Sequence, residues 1–395
     1  MAFGDRRNVK EQGEKMSLFD RLFGGRKPPK VSSEYFKLLD GYTPRFSTWS
    51  GSIYESELVR SAIDARARHM SKLDVALTGA AKPALQRKLK TAPNEWQTWS
   101  QFFYRMSTIL DMENNVIISP VYDMYGAISG IYPLLSKSRE LVTYNGEVWI
   151  RLTFFNDKKA ALPLREVGIM TKHQFKNDFF GSSNSALDRT MALVEIQNQG
   201  IKEATKQSAS FRFMATLSNL SSDEDLTKTR DRFNRENLES GGGLLLFPTT
   251  FKDVKQVESK PYVVDAEQMK LIQTNVYNYF GVNEDVLQNK AIGDAWSAFY
   301  EGAIEPVSIQ FSEVVTKMLF TERERTEGNG IMATSNRLQY MSNKDKLDVS
   351  AQMADRGLMS RNEIRQIWNL PPLPAEIGNT FPVRGEYYNL GATNE

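Results

Sequence analysis

Residues 289–320, NKAIGDAWSAFYEGAIEPVSIQFSEVVTKMLF, constrain the fold more than any other stretch. Trp296, Phe299, Ala303, Ile309, Val314, Met318 and Leu319 recur at spacings near three and four, the period of a helix face. Asp294 is placed to cap the start. Pro306 lies well inside the run. It has no backbone N–H, so the carbonyl of Gly302 loses its partner, and the ring presses on that turn. The sequence therefore predicts one long helix bent at Pro306, with Gly302 absorbing part of the bend. A short loop carrying Asn289, Lys290 and Gly293 leads into it.

The chain has 395 residues, enough for two or three domains. Hydrophobic residues make up 41% and aromatic residues 11%, a globular composition. The formal net charge of +2 argues against a generic electrostatic nucleic-acid binder, and leaves room for local basic features. There is no cysteine, which excludes disulfides and thiolate chemistry and fits assembly in a reducing cytoplasm. No apolar run approaches the roughly 18–20 residues of a membrane span, and no signal peptide is predicted.

Along the chain the hydrophobic period changes several times. Residues 1–50 read as an arm. Their first 30 residues hold eight Lys/Arg and four Asp/Glu, a net of +4. Leu18, Phe19, Leu22 and Phe23 form one small amphipathic turn there, too little for a membrane anchor. Met16 offers a second start. Residues 54–72 predict a helix with Val59, Ala62, Ile63, Arg66 and Met70 on one side. Residues 96–112 predict another, with Trp96, Trp99, Phe102, Phe103 and Met106 as core candidates. "NNVIISPVYDMYGAISGIYPLL" and "ELVTYNGEVWIRLTFF" read as strands, and Asn145-Gly146 is a two-residue hairpin signal. An α+β domain thus spans about 50–180. Residues 185–211 predict a helix with Leu187, Met191, Val194, Ile201 and Thr205 near one face. Residues 221–237 predict a short, highly charged helix, followed by a glycine-rich turn and strand-like segments. A further helix runs to Gly281, which stands at the C-terminal cap, with Asp265 and Gln268 as a capping-box-like pair at its start. Residues 343–370 form a pair of short helices before a proline-rich tail.

No constellation for catalysis is visible, and the chain is expected not to be an enzyme and to need no cofactor. Its two histidines, His69 and His173, have no second ligand nearby, so no metal site is expected. No phosphate loop or nucleophile elbow is present. The acids Asp223, Glu224 and Asp225 are explained by the dipole of a helix start. "LDVSAQMADRGLMSRNEIRQIWNLPPL" reads as helix, turn, helix. Gly357 ends the first, and Ser360 with Glu363 caps the second. Arg361, Asn362, Arg365 and Gln366 are then candidates for reading bases, so a helix-turn-helix regulatory protein using residues 343–370 is the alternative function.

Four segments together resemble the portal proteins of tailed bacteriophages, the long-tailed type. They are "APNEWQTWSQFFYRMSTILDMENNVIISPVYDMYGAISGIYPL", "SSNSALDRTMALVEIQ", "YNYFGVNEDVLQNKAIGDAWSAFYEGAIEP" and "RGLMSRNEIRQIWNLPPLP". The loop after Gly281 departs from the family pattern by lacking its small-residue and tyrosine run. The resemblance implies an α+β portal fold: an α/β wing, a helical stem, a small α/β clip, a kinked long helix and a helical crown. On this chain these map to an arm at 1–50, wing at 51–184, stem helices at 185–212 and 263–282, clip at 213–262, tunnel loop at 283–293, kinked helix and wing return at 294–338, and crown and tail at 339–395. It also implies a ring of twelve copies at one capsid vertex of the virion, assembled in the host bacterial cytoplasm. Double-stranded DNA would pass through the axis during packaging and ejection. The implied partners are the terminase large subunit, the major capsid protein and the head-tail connector, with no membrane. Under that resemblance Lys290 and Asn289 line the channel, with Lys202 and Lys206 as a second basic band. Asp223, Glu224, Arg230, Arg232 and Arg235 form the docking surface for motor and connector, and Gly302 and Pro306 form the kink.

Overall fold

The computed structural model describes residues 37–42, 56–208, 213–217, 227–228, 231, 251–256, 266–335, 343–368 and 370–383. The chain divides into two compact units, residues 189–272 and the rest.

In the larger unit, α1 (Glu57–Met70) buries Val59, Ala62, Ile63, Arg66 and Met70, the face its spacing predicts. After β2 (Asp74–Thr78) and α2 (Pro83–Thr91) comes α3 (Trp99–Glu113). Thr98 and Gln101 close a reciprocal capping box at its start. Trp96, expected in the core, precedes this box and is 40% exposed. Phe102, Phe103 and Met106 are fully buried.

The strands β3 (Asn115–Tyr122), β4 (Ile128–Leu134), β5 (Ser138–Tyr144), β6 (Glu147–Thr153), β7 (Lys159–Pro163) and β8 (Gly168–Thr171) follow. They make an antiparallel sheet β4-β3-β8 and a second sheet in which β1 (Lys37–Tyr42) joins β5, β6 and β7 in the order β1-β5-β6-β7. Asn145 (φ 49°) and Gly146 (φ 80°) turn β5 into β6, as a two-residue hairpin with both φ positive requires. Pro120 sits in the middle strand β3, yet β8 pairs only with residues 115–118. Proline's missing N–H therefore falls where that side of the strand has no neighbour.

The smaller unit contains most of α4 (Asp188–Ser208) and the paired strands β9 (Phe213–Leu217) and β10 (Phe251–Gln256). Then come α5 (Ala266–Tyr279) and α6 (Glu284–Leu287). Gly281 (φ 69°) ends α5 in the left-handed conformation, and the Val282 N–H reaches the Tyr277 carbonyl, as in a glycine-terminated helix.

The predicted long helix has three parts: α7 (Asp294–Phe299), a π turn (Tyr300–Ile304) and α8 (Glu305–Leu319). The Glu305 N–H reaches back five residues to the Tyr300 carbonyl. This wide turn is how the chain accommodates Pro306. The proline falls in the first turn of a new helix, where a missing N–H costs little. Two expectations change. Gly293 (φ 57°) holds the cap position without a side-chain cap, and Asp294 is the first helical residue, where its charge favours the positive end of the helix. Gly302 keeps negative φ, and a Cβ there would meet nothing within 4 Å. It uses none of glycine's freedom. Gly302→Ala should therefore stabilise the chain by about 0.5–1 kcal/mol through the unfolded state. Denaturant titration should show a higher midpoint at unchanged slope; a lower midpoint would show that the turn needs glycine.

α8 also covers a strand. Ser312 and Thr316 accept the N–H groups of Ala333 (2.9 Å) and Ile331 (3.0 Å) from β11 (Gly330–Thr334), which pairs with β2. One helical turn of four residues rises about 6 Å, close to the two-residue repeat of a strand, so the pairs align. α9 (Glu322–Thr326) connects α8 to β11, and α10 (Asn343–Asp355), α11 (Arg361–Ile367) and α12 (Ala375–Gly378) close the chain.

Candidate functional site

The loop over 283–293 is an ordered cap on the long helix. Asn283 accepts the Val286 N–H (2.9 Å) and starts α6. Val286 is buried and anchors that turn from below. The chain then reverses at Asn289 (φ 56°), with the N–H groups of Lys290 (2.7 Å) and Ala291 (3.2 Å) both on the Asp285 carbonyl. Arg68 of α1 donates to the Asn289 side chain at 3.3 Å. Lys290 stays exposed, its ammonium donating to Gln288 at 2.6 Å. Ile292 is 72% exposed beside it. The fold thus fixes the base of the loop and leaves exposed Lys290, the amides of Gln288 and Asn289, the carboxylates of Glu284 and Asp285, and the apolar side chain of Ile292.

Beneath the π turn lies a buried ionic cluster. Arg66 donates one guanidinium N–H to Asp111 (2.5 Å) and another to the Ala303 carbonyl (2.9 Å). That carbonyl belongs to the widened turn, so α1 supplies a donor at the turn that accommodates Pro306. Lys172 donates to the same Asp111 oxygen at 2.7 Å. Asp111 and Arg66 are almost wholly buried, and Lys172 is 16% exposed. Burial pushes the Lys172 ammonium below its ordinary value while Asp111 pulls it back. The Asn184 side chain donates to the backbone carbonyls of Asp111 and Met112 and accepts from Tyr279 at 2.8 Å, tying the end of α5 to the same hub. His173 stacks on Tyr279. His69 packs edge-on against Phe299, where burial, then the Lys72 and Arg68 charges, push it down to about 4. Both histidines are packing groups. Among the described residues no acid and histidine cluster fits a metal.

Lys290 and Asn289 share the loop. Lys202 is exposed on α4, and Lys206 lies on the same helix. Asp223, Glu224, Arg230, Arg232 and Arg235 lie outside the described residues, as do the 1–30 segment and most of 213–262. Two of the four base-reading candidates are committed elsewhere, while Arg361 and Gln366 are exposed. Asn362 donates to the Leu373 carbonyl (3.1 Å) and accepts its N–H (2.7 Å), and Arg365 donates to the Pro371 carbonyl at 2.8 Å. These side chains pin the proline-rich tail to α11, a helix of only seven residues. The capping box of Ser360 and Glu363 is present as predicted.

The ionic hub had a partial signal in sequence, because Arg66 falls on the apolar face of α1. Asp111 gave none, being one more residue on α3.

A family model described as "Phage portal protein" matches residues 57–369. Among solved structures, a chain from the "Neck of empty GTA particle computed with C6 symmetry" is similar at 15% identity and TM-score 0.53, over 80% of this chain and 91% of that one. One from the "Neck of native GTA particle computed with C12 symmetry" matches at 14% identity and TM-score 0.53, over 82% and 92%. An HK97-family phage portal protein from Corynebacterium diphtheriae matches at 12% identity and TM-score 0.48, over 71% and 93%. At these identities the likeness is one of fold. No curated protein matches.

Proposed function

Because the chain belongs to the phage portal protein family, we propose that it forms a twelve-membered ring at one capsid vertex, through whose axis duplex DNA passes during packaging and ejection. The observation that carries this reading is the loop over 283–293: pinned at its base, exposed at Lys290, and continuous with a long helix. Such a loop can line a narrow channel while the helix runs outward into the wing. Lysine on a flexible stem meets successive phosphates as a point charge. A conduit must not hold DNA tightly, since each phosphate contact adds a salt-dependent term around the ring. A chain of net charge +2 suits weak, repeated contacts.

Self-association is supported by α4, where Leu193, Ile196 and Ile201 are 50%, 63% and 39% exposed. Head-to-tail contacts between copies close a ring when the rotation per copy fits. Twelve copies are consistent with both the C6 and C12 symmetries of the similar neck assemblies. In this proposal residues 51–184 and 294–338 form the wing, 185–212 and 263–282 the stem, 213–262 the clip and 339–395 the crown. Asp223, Glu224, Arg230, Arg232 and Arg235 of the clip dock the terminase motor and later the connector through a salt-sensitive surface. The helix-turn-helix alternative loses support because Asn362 and Arg365 hold the chain's own tail.

Native mass measurement tests the ring. Twelve copies of 45.0 kDa give a particle of about 540 kDa. A stable monomer or dimer at every ionic strength would contradict it.

A further inference from the structure

Helix α2 carries a basic surface that the channel does not use. No acidic residue occurs between Asp74 and Glu95, while Lys82, Arg87, Lys88 and Lys90 all fall in that interval. Leu85 and Leu89 are buried, and Arg87, Lys88 and Lys90 are exposed. Lys82 is spent on structure: it pairs with Glu324 at 3.3 Å and donates to the Leu319 carbonyl at the end of α8. Trp99 donates its indole N–H to the Leu89 carbonyl at 2.8 Å. Both ends of the helix are therefore fastened. The side chains of Arg87, Lys88 and Lys90 find no ion-pair partner among the described residues.

The other exposed residues of α2 are Pro83, Ala84 and Thr91. No aromatic or large apolar side chain accompanies the cations. Protein interfaces depend on such anchors, whereas phosphate binding needs only positive charge at suitable spacing. We infer that α2 is a second DNA-contacting surface, lying outside the channel, which holds duplex DNA by its phosphates without reading sequence. The inference rests on the portal reading only for the presence of DNA. Lys82 fastens α2 to the C-terminal end of α8, while the 283–293 loop enters the N-terminal end of α7. Those are opposite ends of the 294–319 helical run. The loop and α2 therefore make separate contacts.

Covalently closed circular duplex DNA isolates this surface, because it cannot thread a closed ring. The full-length chain should bind it with an affinity that falls steeply with salt. A variant combining Arg87→Gln, Lys88→Gln and Lys90→Gln should bind at least ~10-fold more weakly at low salt, with the slope of log affinity against log salt reduced by about 3 per engaged helix. The pair Lys88→Gln and Lys90→Gln should lose about two-thirds of that slope and guards against misfolding of the triple variant. Lys137→Gln, at an exposed lysine already paired with Asp157, should leave circular-DNA binding unchanged. Wild-type binding by the triple variant, or no salt-dependent binding by the unaltered chain, would overturn the inference. So would a triple variant that binds DNA normally but loses an acidic protein partner. Should no ring form, the loss caused by the triple variant remains measurable on the species that does form, so the α2 inference and the ring stand or fall separately.

Discussion

Asp111→Ala is expected to destabilise the chain by about 3–5 kcal/mol, because it leaves buried cations without their counter-charge. Arg66 and Lys172 both donate to one oxygen of Asp111. With that oxygen gone, two cations face each other; Arg66 keeps the Ala303 carbonyl, and Lys172 keeps the face of the Phe280 ring at 5.9 Å but loses its counter-charge. Burial already lowers the Lys172 pKa, and Asp111 opposes that shift. Removing Asp111 lowers it further. The unfolded chain then binds a proton more readily than the folded one between the lowered value and the ordinary lysine range. Stability of the variant should therefore rise with pH through that window, and part of the loss should be recovered under alkaline conditions. The exposed pair of Lys137 and Asp157 is the control; Lys137→Ala, which leaves the left-handed backbone at Asp157 untouched, should cost less than about 1 kcal/mol. Denaturant midpoints at several pH values measure all three chains. A cost for Asp111→Ala no larger than the control's would show that the cluster does not hold the π turn.

Lys290→Glu is expected to leave ring assembly intact and to reduce packaged or retained DNA at least ~10-fold. The substitution is repeated in every copy. In a ring of twelve it changes the lining by about 24 charges, within a Debye length of passing phosphates at physiological salt. The side chain makes a single polar contact, to Gln288, and Val286 anchors the loop independently of it, so the fold has little reason to change. Particles with normal DNA content and normal retention would remove Lys290 from the channel wall.

What the sequence revealed depended on whether the partners were local. The Asn145-Gly146 hairpin, the Gly281 cap and the Ser360–Glu363 capping box have partners a few residues away, and the apolar face of α1 is marked by local spacing although its partners are distant; each was legible. The π turn was not. Proline announces a lost hydrogen bond at Gly302, but the answer lies in a one-residue change of register and in Arg66, 237 residues distant from Ala303. A bend absorbed by Gly302 was the local solution, and the fold uses a tertiary one. Asn362 and Arg365 misled for the same reason. Polar residues on a short helix suggest a ligand, and their actual partners are backbone groups of Leu373 and Pro371, which carry no side-chain signature. The exposed loop at Lys290 was legible as a loop, but its anchoring through Val286, Asp285 and Arg68 was not.

Three-dimensional image reconstruction of the purified full-length chain, at a resolution that traces α7 and α8, tests most directly whether residues 283–293 form the wall of an axial channel. A closed ring is predicted, with an open axial hole whose narrowest radius is set by Lys290 and its neighbours and with α8 running outward from it. A closed ring with these residues on its outer surface, or an assembly with no axial hole, would contradict the proposed conduit.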